Sequence, residues 1–244
     1  MNTPGERLSK RVMQLRGCSR SEAEQAIEGG WVRVDGVVVE DPPRRVTPDQ
    51  HVTVDSQASR LDLAAVTLLL HKPPEVADGQ ALLKPELHWP QDPTASRVLK
   101  RHFHRTELQV TLEPAGSGLL VATQDWRIAR KLQDSAATLE HELLVDVAAD
   151  LSSDAWTAAS DRIARALNNP RQAMPLVRYS VNSSQSERSR LRFAVKGSHP
   201  GLVAYLCEHA GLRILALKRT RLGRVALGDL PVGQWRYLAP FERF

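Results

Sequence analysis

The chain has 244 residues, of which 42% are hydrophobic and 25% charged, a balance that suits a folded protein better than a disordered one. No apolar run approaches the roughly 18 residues that span a bilayer, and the start MNTPGERLSKR lacks the apolar stretch of a signal peptide. The two cysteines, Cys18 and Cys207, lack C-x-x-C spacing, which argues against a disulfide framework or a zinc site. A cytoplasmic protein without a membrane partner is expected, and a net charge of +5 admits a nucleic-acid partner without requiring one.

From Arg7 the pattern is helical, with Leu8, Val12 and Leu15 on one stripe and Arg7, Lys10 and Arg11 off it. Gly17 is a natural helix stop. Ser19-Arg20-Ser21-Glu22 spells a capping box, after which Ala23, Ala26 and Ile27 form the buried face of a second helix ending at Gly29-Gly30. Asp35-Gly36 between valine-rich runs predicts a hairpin, and His51 to Val54 a last short strand. The unit carries Arg7, Lys10, Arg11, Arg16, Arg20, Arg33, Arg44 and Arg45. Guanidinium groups match phosphate through paired donors. The composition alone leaves a solvated basic face as an equal alternative.

Three stretches separate those alternatives. Arg7-Leu8-Ser9-Lys10, Gly17 through Glu24 and Gly30 through Gly36 resemble, in order and spacing, the αL RNA-binding domain. That domain occurs in a primary-binding protein of the small ribosomal subunit, in tyrosyl-tRNA synthetases and in many pseudouridine synthases. The resemblance implies that the second helix and the turn before it face structured RNA, with Arg7, Lys10, Arg11, Ser19, Arg20 and Arg33 as contacts.

A polar linker is expected over 56–64, dividing a domain at 1–55 from one at 65–244. In the second, Val66–Leu70 reads as a buried strand ending at His71-Lys72-Pro73-Pro74, followed by a proline-bearing loop over 75–93 and a helix over 96–103. Leu108, Val110 and Leu112 alternate as a strand does, and Leu119–Ala122 forms another beyond the turn at 114–118. Helices are expected over 126–132, 153–167 and 202–209, and strands over 143–147, 177–181, 191–195 and 214–217. Strands and helices interleave without a βαβ rhythm, so the fold class is α+β with a mixed or antiparallel sheet. Trp31, Trp156 and Trp235 are expected in the core, and Trp89 and Trp126 as stacking surfaces.

Gly118-Leu119-Leu120-Val121-Ala122-Thr123-Gln124-Asp125 resembles the segment that follows the catalytic loop of bacterial ribosomal-RNA pseudouridine synthases. Lys72-Pro73 is similar to that family's strand end. Leu217 through Gly223 and Leu227 through Leu238 are similar to the closing signature of its αL-bearing members, in the branch that modifies large-subunit RNA. The resemblance implies a cofactor-free, metal-free isomerisation of uridine. The nucleotide is flipped out of its stack, an aspartate acts on it, the glycosidic bond breaks, and the base rejoins through carbon 5. It also implies RNA contacts at Lys218, Arg219 and Arg221, and a monomer.

Against that pattern three places differ, the first at two residues. Glu113 stands at the aspartate, and Thr111 at an arginine two places earlier. Leu143 stands at a tyrosine that borders the substrate, and a leucine cannot donate a phenolic hydrogen bond. The basic helix start has become Lys196 through Tyr205 without an arginine, leaving Tyr205 to lend an aromatic surface and no guanidinium beside the carboxylate. One extra methylene displaces a carboxylate by about an ångström, and such a misplacement costs on the order of 100-fold in rate. Two readings follow. One is a synthase using Glu113; the other is an RNA-binding descendant that has lost turnover and acts in ribosome assembly or regulation.

Overall fold

The computed structural model describes residues 5–56, 63–170 and 173–244, so most of the expected linker, 57–62, lies outside the described residues. Two compact units are present, one of residues up to 65 together with 97–105, the other of 66–96 and 106–244. No described helix is long and apolar enough to cross a membrane.

In the first unit, helix α1 (Leu8–Arg16) ends at Gly17, whose φ of 61° a residue with a side chain adopts only at a cost. Helix α2 (Arg20–Glu28) starts at the expected capping box, with both reciprocal bonds between Ser19 and Glu22 present. Leu8, Val12, Ala23, Ala26 and Ile27 are buried against Val32, Val34, Val46 and Val52. Leu15 departs from the expected stripe and is 55% exposed. Asp35 and Gly36, at φ 51° and 82°, make the tight turn between β2 (Val32–Val34) and β3 (Val37–Val38). Strand β5 (Val52–Val54) flanks β2 on its other side. A second ladder pairs β1 (Glu6–Arg7) with β4 (Arg45–Val46). Its strands are too short for alternation to reveal them. Residues 97–105 belong to this unit through Arg97, which donates to the Gly30 carbonyl at 2.8 Å, and the Lys100 amide, which donates to Glu40 at 2.7 Å.

The second unit is a nine-stranded mixed sheet. Its strands are β6 (Thr67–Lys72), β7 (Glu107–Gln109), β8 (Ser117–Thr123), β9 (Glu140–Val147), β10 (Val177–Gln185), β11 (Arg188–Lys196), β12 (Ile214–Leu222), β13 (Val225–Ala226) and β14 (Trp235–Tyr237). The spine runs β10-β11-β9-β12-β8-β6-β14, with β13 on β12 and β7 on β8. The β8–β12 pair is parallel, the other paired strands antiparallel. Every residue of β6 is buried, as befits a continuous apolar run in mid-sheet. One core lies under β9 and β11 with α4 (Ser153–Leu167) and α5 (Leu202–His209), built around Phe193, Ile163 and Leu206. Another gathers Leu69, Leu119 and Val121 with Leu132 of α3 (Trp126–Asp134).

Two expected elements are shorter. The helix over 96–103 is a single 3-10 turn at Lys100–Phe103. The strand over 108–112 stops at Gln109 because Val110, at φ 51°, turns the chain out of the ladder. That is an unfavourable angle for a β-branched residue, and it opens the loop on which the candidate site stands.

Candidate functional site

The loop between β7 and β8 is held from beneath by two buried cations. At the end of β6 the Lys72 side chain, 1% exposed, donates to the carbonyls of Pro114 at 2.8 Å, Gly116 at 2.6 Å and Pro73 at 3.1 Å. Burial pushes its ammonium below the usual lysine range. From β12 the Arg219 guanidinium, also 1% exposed, donates to Val110 at 3.0 Å, Thr111 at 2.9 Å and Leu119 at 2.8 Å. Its planar fork spans carbonyls that a point-like ammonium could not reach together. Burial lowers its pKa to about 10, opposed by the negative charge of Glu113, so the group stays protonated at neutral pH.

Gly118 makes this arrangement possible. It sits at φ 108° in the parallel pairing with Arg219, and a Cβ there would stand 2.2 Å from the Arg219 carbonyl oxygen. Only glycine lets the two backbones approach so closely. Within the loop the Gly116 amide donates to the Glu113 carbonyl at 2.8 Å, closing a tight turn that carries Glu113 at its start.

The Glu113 side chain points to the start of α5, where its Oε1 accepts the Gly201 amide at 2.9 Å. It lines a small cleft with Thr111, Leu143, His141, His199 and Arg219. The cleft therefore unites three expected residues, Glu113, Thr111 and Leu143. His141 is pushed down to about 4 by burial first, then by the charges of Arg219 and His199, and is neutral at pH 7. The cavity volume is about 30 Å³, room for one or two water molecules.

Several expected placements are corrected. Tyr205 is not in this cleft: it lies further along α5, packed against His209 in a tilted pair at 4.0 Å between ring centroids. The Arg219 guanidinium, expected at the RNA, is buried and bonded to the loop's carbonyls. It also supplies a positive charge beside the carboxylate, where none was expected. Arg221 belongs to a ladder of ion pairs across the sheet, bonded to Glu140 at 2.7 Å and Glu142 at 3.1 Å, with Arg178 and Arg192 at its ends. Lys218 is partly buried beside Arg219 in β12. Trp89 packs against the second core, whereas Trp126 is 69% exposed.

In the first unit Arg7 and Lys10 are exposed. Arg20, 68% exposed, pairs with Glu24 at 2.8 Å. Arg33 donates to the Gly36 carbonyl at 3.1 Å and stays exposed. Arg11 is less free, tied to Glu6 and the Thr47 carbonyl, and the Ser19 hydroxyl is committed to the cap of α2.

The supporting residues that composition and spacing do not disclose are Lys72, Gly118, His141 and Arg219. Lys72 had one visible signal: it stands two residues after the apolar run Leu68–Leu70, directly before Pro73. The burial of Arg219 had none, because β12 shows no regular alternation.

Residues 6–52 match the S4 domain family. An uncharacterized RNA pseudouridine synthase of Aquifex aeolicus is 26% identical over 239 residues, covering 97% of this chain and 94% of the relative. Ribosomal small subunit pseudouridine synthase A of Pseudomonas aeruginosa is 25% identical over 243 residues, covering 95% and 96%. Dual-specificity RNA pseudouridine synthase RluF of Escherichia coli K12 is 24% identical over 242 residues, covering 97% and 76%. The fold is similar to that of a crystal structure of a pseudouridylate synthase, with a TM-score of 0.52 at 16% identity over 96% of both chains.

Proposed function

The chain belongs to the RNA pseudouridine synthases that carry an N-terminal S4 domain, and from that premise we propose that it binds structured ribosomal RNA without isomerising uridine. Arg7, Lys10, Arg20 and Arg33 of the S4 domain are the RNA contacts in this reading, with the cytoplasmic ribosome or its precursors as the setting. Small-subunit, large-subunit and dual-specificity enzymes all occur among the relatives, so the reading commits to ribosomal RNA and to neither subunit.

One observation carries the loss of turnover: Glu113 is bonded to the Gly201 amide in a cleft of about 30 Å³ whose other wall is Leu143. The carboxylate is engaged by backbone. Leu143 offers no hydroxyl, and Thr111 no guanidinium, to a flipped nucleotide.

A second reading rests on Arg219. Its buried positive charge lies beside Glu113, as a carboxylate acting on the nucleotide would need. In that reading Glu113 replaces the aspartate and the α5 start moves aside when RNA binds.

Ribosomal RNA labelled with tritium at uridine carbon 5 separates the two, because rejoining the base through carbon 5 expels that tritium. The expected result is no release by the parent protein or by Glu113→Ala, with RNA binding that weakens steeply with salt in both. Release by the parent that vanishes in Glu113→Ala would establish the second reading instead.

A further inference from the structure

The residue displaced from the candidate site marks another one. Tyr205 and His209, one turn apart on α5, pack with ring centroids 4.0 Å apart and planes tilted by 43°, and the His209 ring is fixed by a 3.0 Å hydrogen bond between its Nδ1 and the Tyr205 carbonyl. Facing them from the C-terminal half of α4 are Arg162 and Arg165. Together with the 168–170 turn these side chains line an open cleft of about 520 Å³.

Neither arginine is neutralised by a carboxylate among the described residues. Arg162 donates Nη1 to the Ala210 carbonyl at 3.0 Å, and Arg165 donates Nε to the Asp161 carbonyl at 3.2 Å. Each bond anchors the guanidinium to backbone and leaves further N–H donors and the full positive charge outward. The contrast with the sheet is instructive, since Arg178, Arg188, Arg190, Arg192 and Arg221 are all paired with Glu140, Glu142 or Asp146.

We propose that this α4–α5 cleft is a second RNA-binding site, which takes a single-stranded nucleotide with its base on an aromatic face of the Tyr205–His209 pair and its phosphates on Arg162 and Arg165. The chemistry selects that ligand. Fixed aromatic faces accept any base, and outward guanidinium groups accept phosphate in pairs. An acidic peptide would satisfy the arginines but would leave the aromatic pair without a planar partner. The site rests on the reading that the protein binds RNA, and adds to it a contact for an unpaired strand outside the S4 domain.

The test uses the full chain and two probes, a short oligouridylate carrying one 4-thiouridine and a ribosomal RNA hairpin without single-stranded ends. Cross-linking the oligouridylate is expected to label Tyr205 or His209. R162E/R165E, both on the exposed face of α4, is expected to weaken oligouridylate binding at least about tenfold and to lower its log–log salt slope by roughly 1.4, two phosphates on a single strand. Tyr205→Leu is expected to weaken it on the order of tenfold. Because Tyr205 packs partly on the core, the arginine pair is the deciding variant.

Hairpin binding reports the S4 domain separately: it should be retained by R162E/R165E and lost in R7E/R20E. Cross-links only elsewhere, or oligouridylate affinity within twofold of the parent in R162E/R165E, would overturn the cleft while leaving the S4 reading standing. Loss of hairpin binding by the parent itself would overturn the S4 reading instead. Displacement of the oligouridylate by polyglutamate at equal charge would overturn the ligand assignment in favour of an acidic protein partner.

Discussion

The Glu113 carboxylate accepts the Gly201 amide at 2.9 Å, a bond between residues 88 positions apart. Gly201 immediately precedes α5, at φ 79°, and has no side chain to cap the helix. A helix start exposes unsatisfied amides and a partial positive charge, so a carboxylate is stabilised there. The Glu113 carboxylate thus serves as a cap at the start of α5.

Glu113→Ala is accordingly expected to destabilise the second unit by about 1 kcal/mol, the usual worth of a helix cap. A urea denaturation midpoint is the measurement. RNA affinity should stay within twofold of the parent, because Glu113 belongs neither to the proposed S4 contacts nor to the proposed α4–α5 cleft. An unchanged midpoint would mean that the bond to Gly201 does not persist in solution.

Arg219→Met removes the donor that Val110, Thr111 and Leu119 share. Buried carbonyls left without partners cost roughly 1–3 kcal/mol each before relaxation, so a loss of about 3 kcal/mol or more is expected by the same assay. Arg219→Lys should rescue little of it, since one ammonium cannot serve carbonyls on both β8 and the loop. Full rescue by lysine would show that charge rather than fork geometry holds the loop.

His141 predicts an acid sensitivity of definite sign. Its pKa falls from 6.5 to about 4 on folding, so between those values the unfolded chain takes up a proton that the folded one refuses. The resulting stabilisation is fully present above pH 6.5, declines as pH falls, and is gone below about 4. The 7% exposure of the residue calls for little solvent discount, and ~3 kcal/mol is the upper scale of the effect. His141→Phe should flatten that part of the stability–pH curve. His102 of the first unit, lowered to about 4 by burial and Arg101, titrates in the same window. The comparison is therefore read on the unfolding transition of the second unit.

The local elements were legible because their causes are local. The Ser19–Glu22 capping box, the Asp35-Gly36 turn and the apolar pattern of α5 each involve neighbours within a few positions, and each stands where the sequence places it. The helix expected over 96–103 reduces to one 3-10 turn while Arg97 and Lys100 bond to Gly30 and Glu40 of the first unit. Those partners lie about sixty positions away in sequence, at separations of 67 and 60. Local periodicity carries no information about them.

By itself the sequence determined the S4 unit and the α+β class, both of which live in residue identity and short spacing. Only the tertiary structure decided what the charged groups do. Arg219 and Arg221 are two positions apart in one strand, yet the first is sealed under a loop whose Thr111 lies 108 positions away, and the second joins an ion-pair ladder at the surface. Tyr205 likewise left the cleft for the arginines of α4. A guanidinium is a contact, a clamp or a counter-ion according to which acceptors and how much solvent surround it, and that surrounding exists only once distant strands have paired.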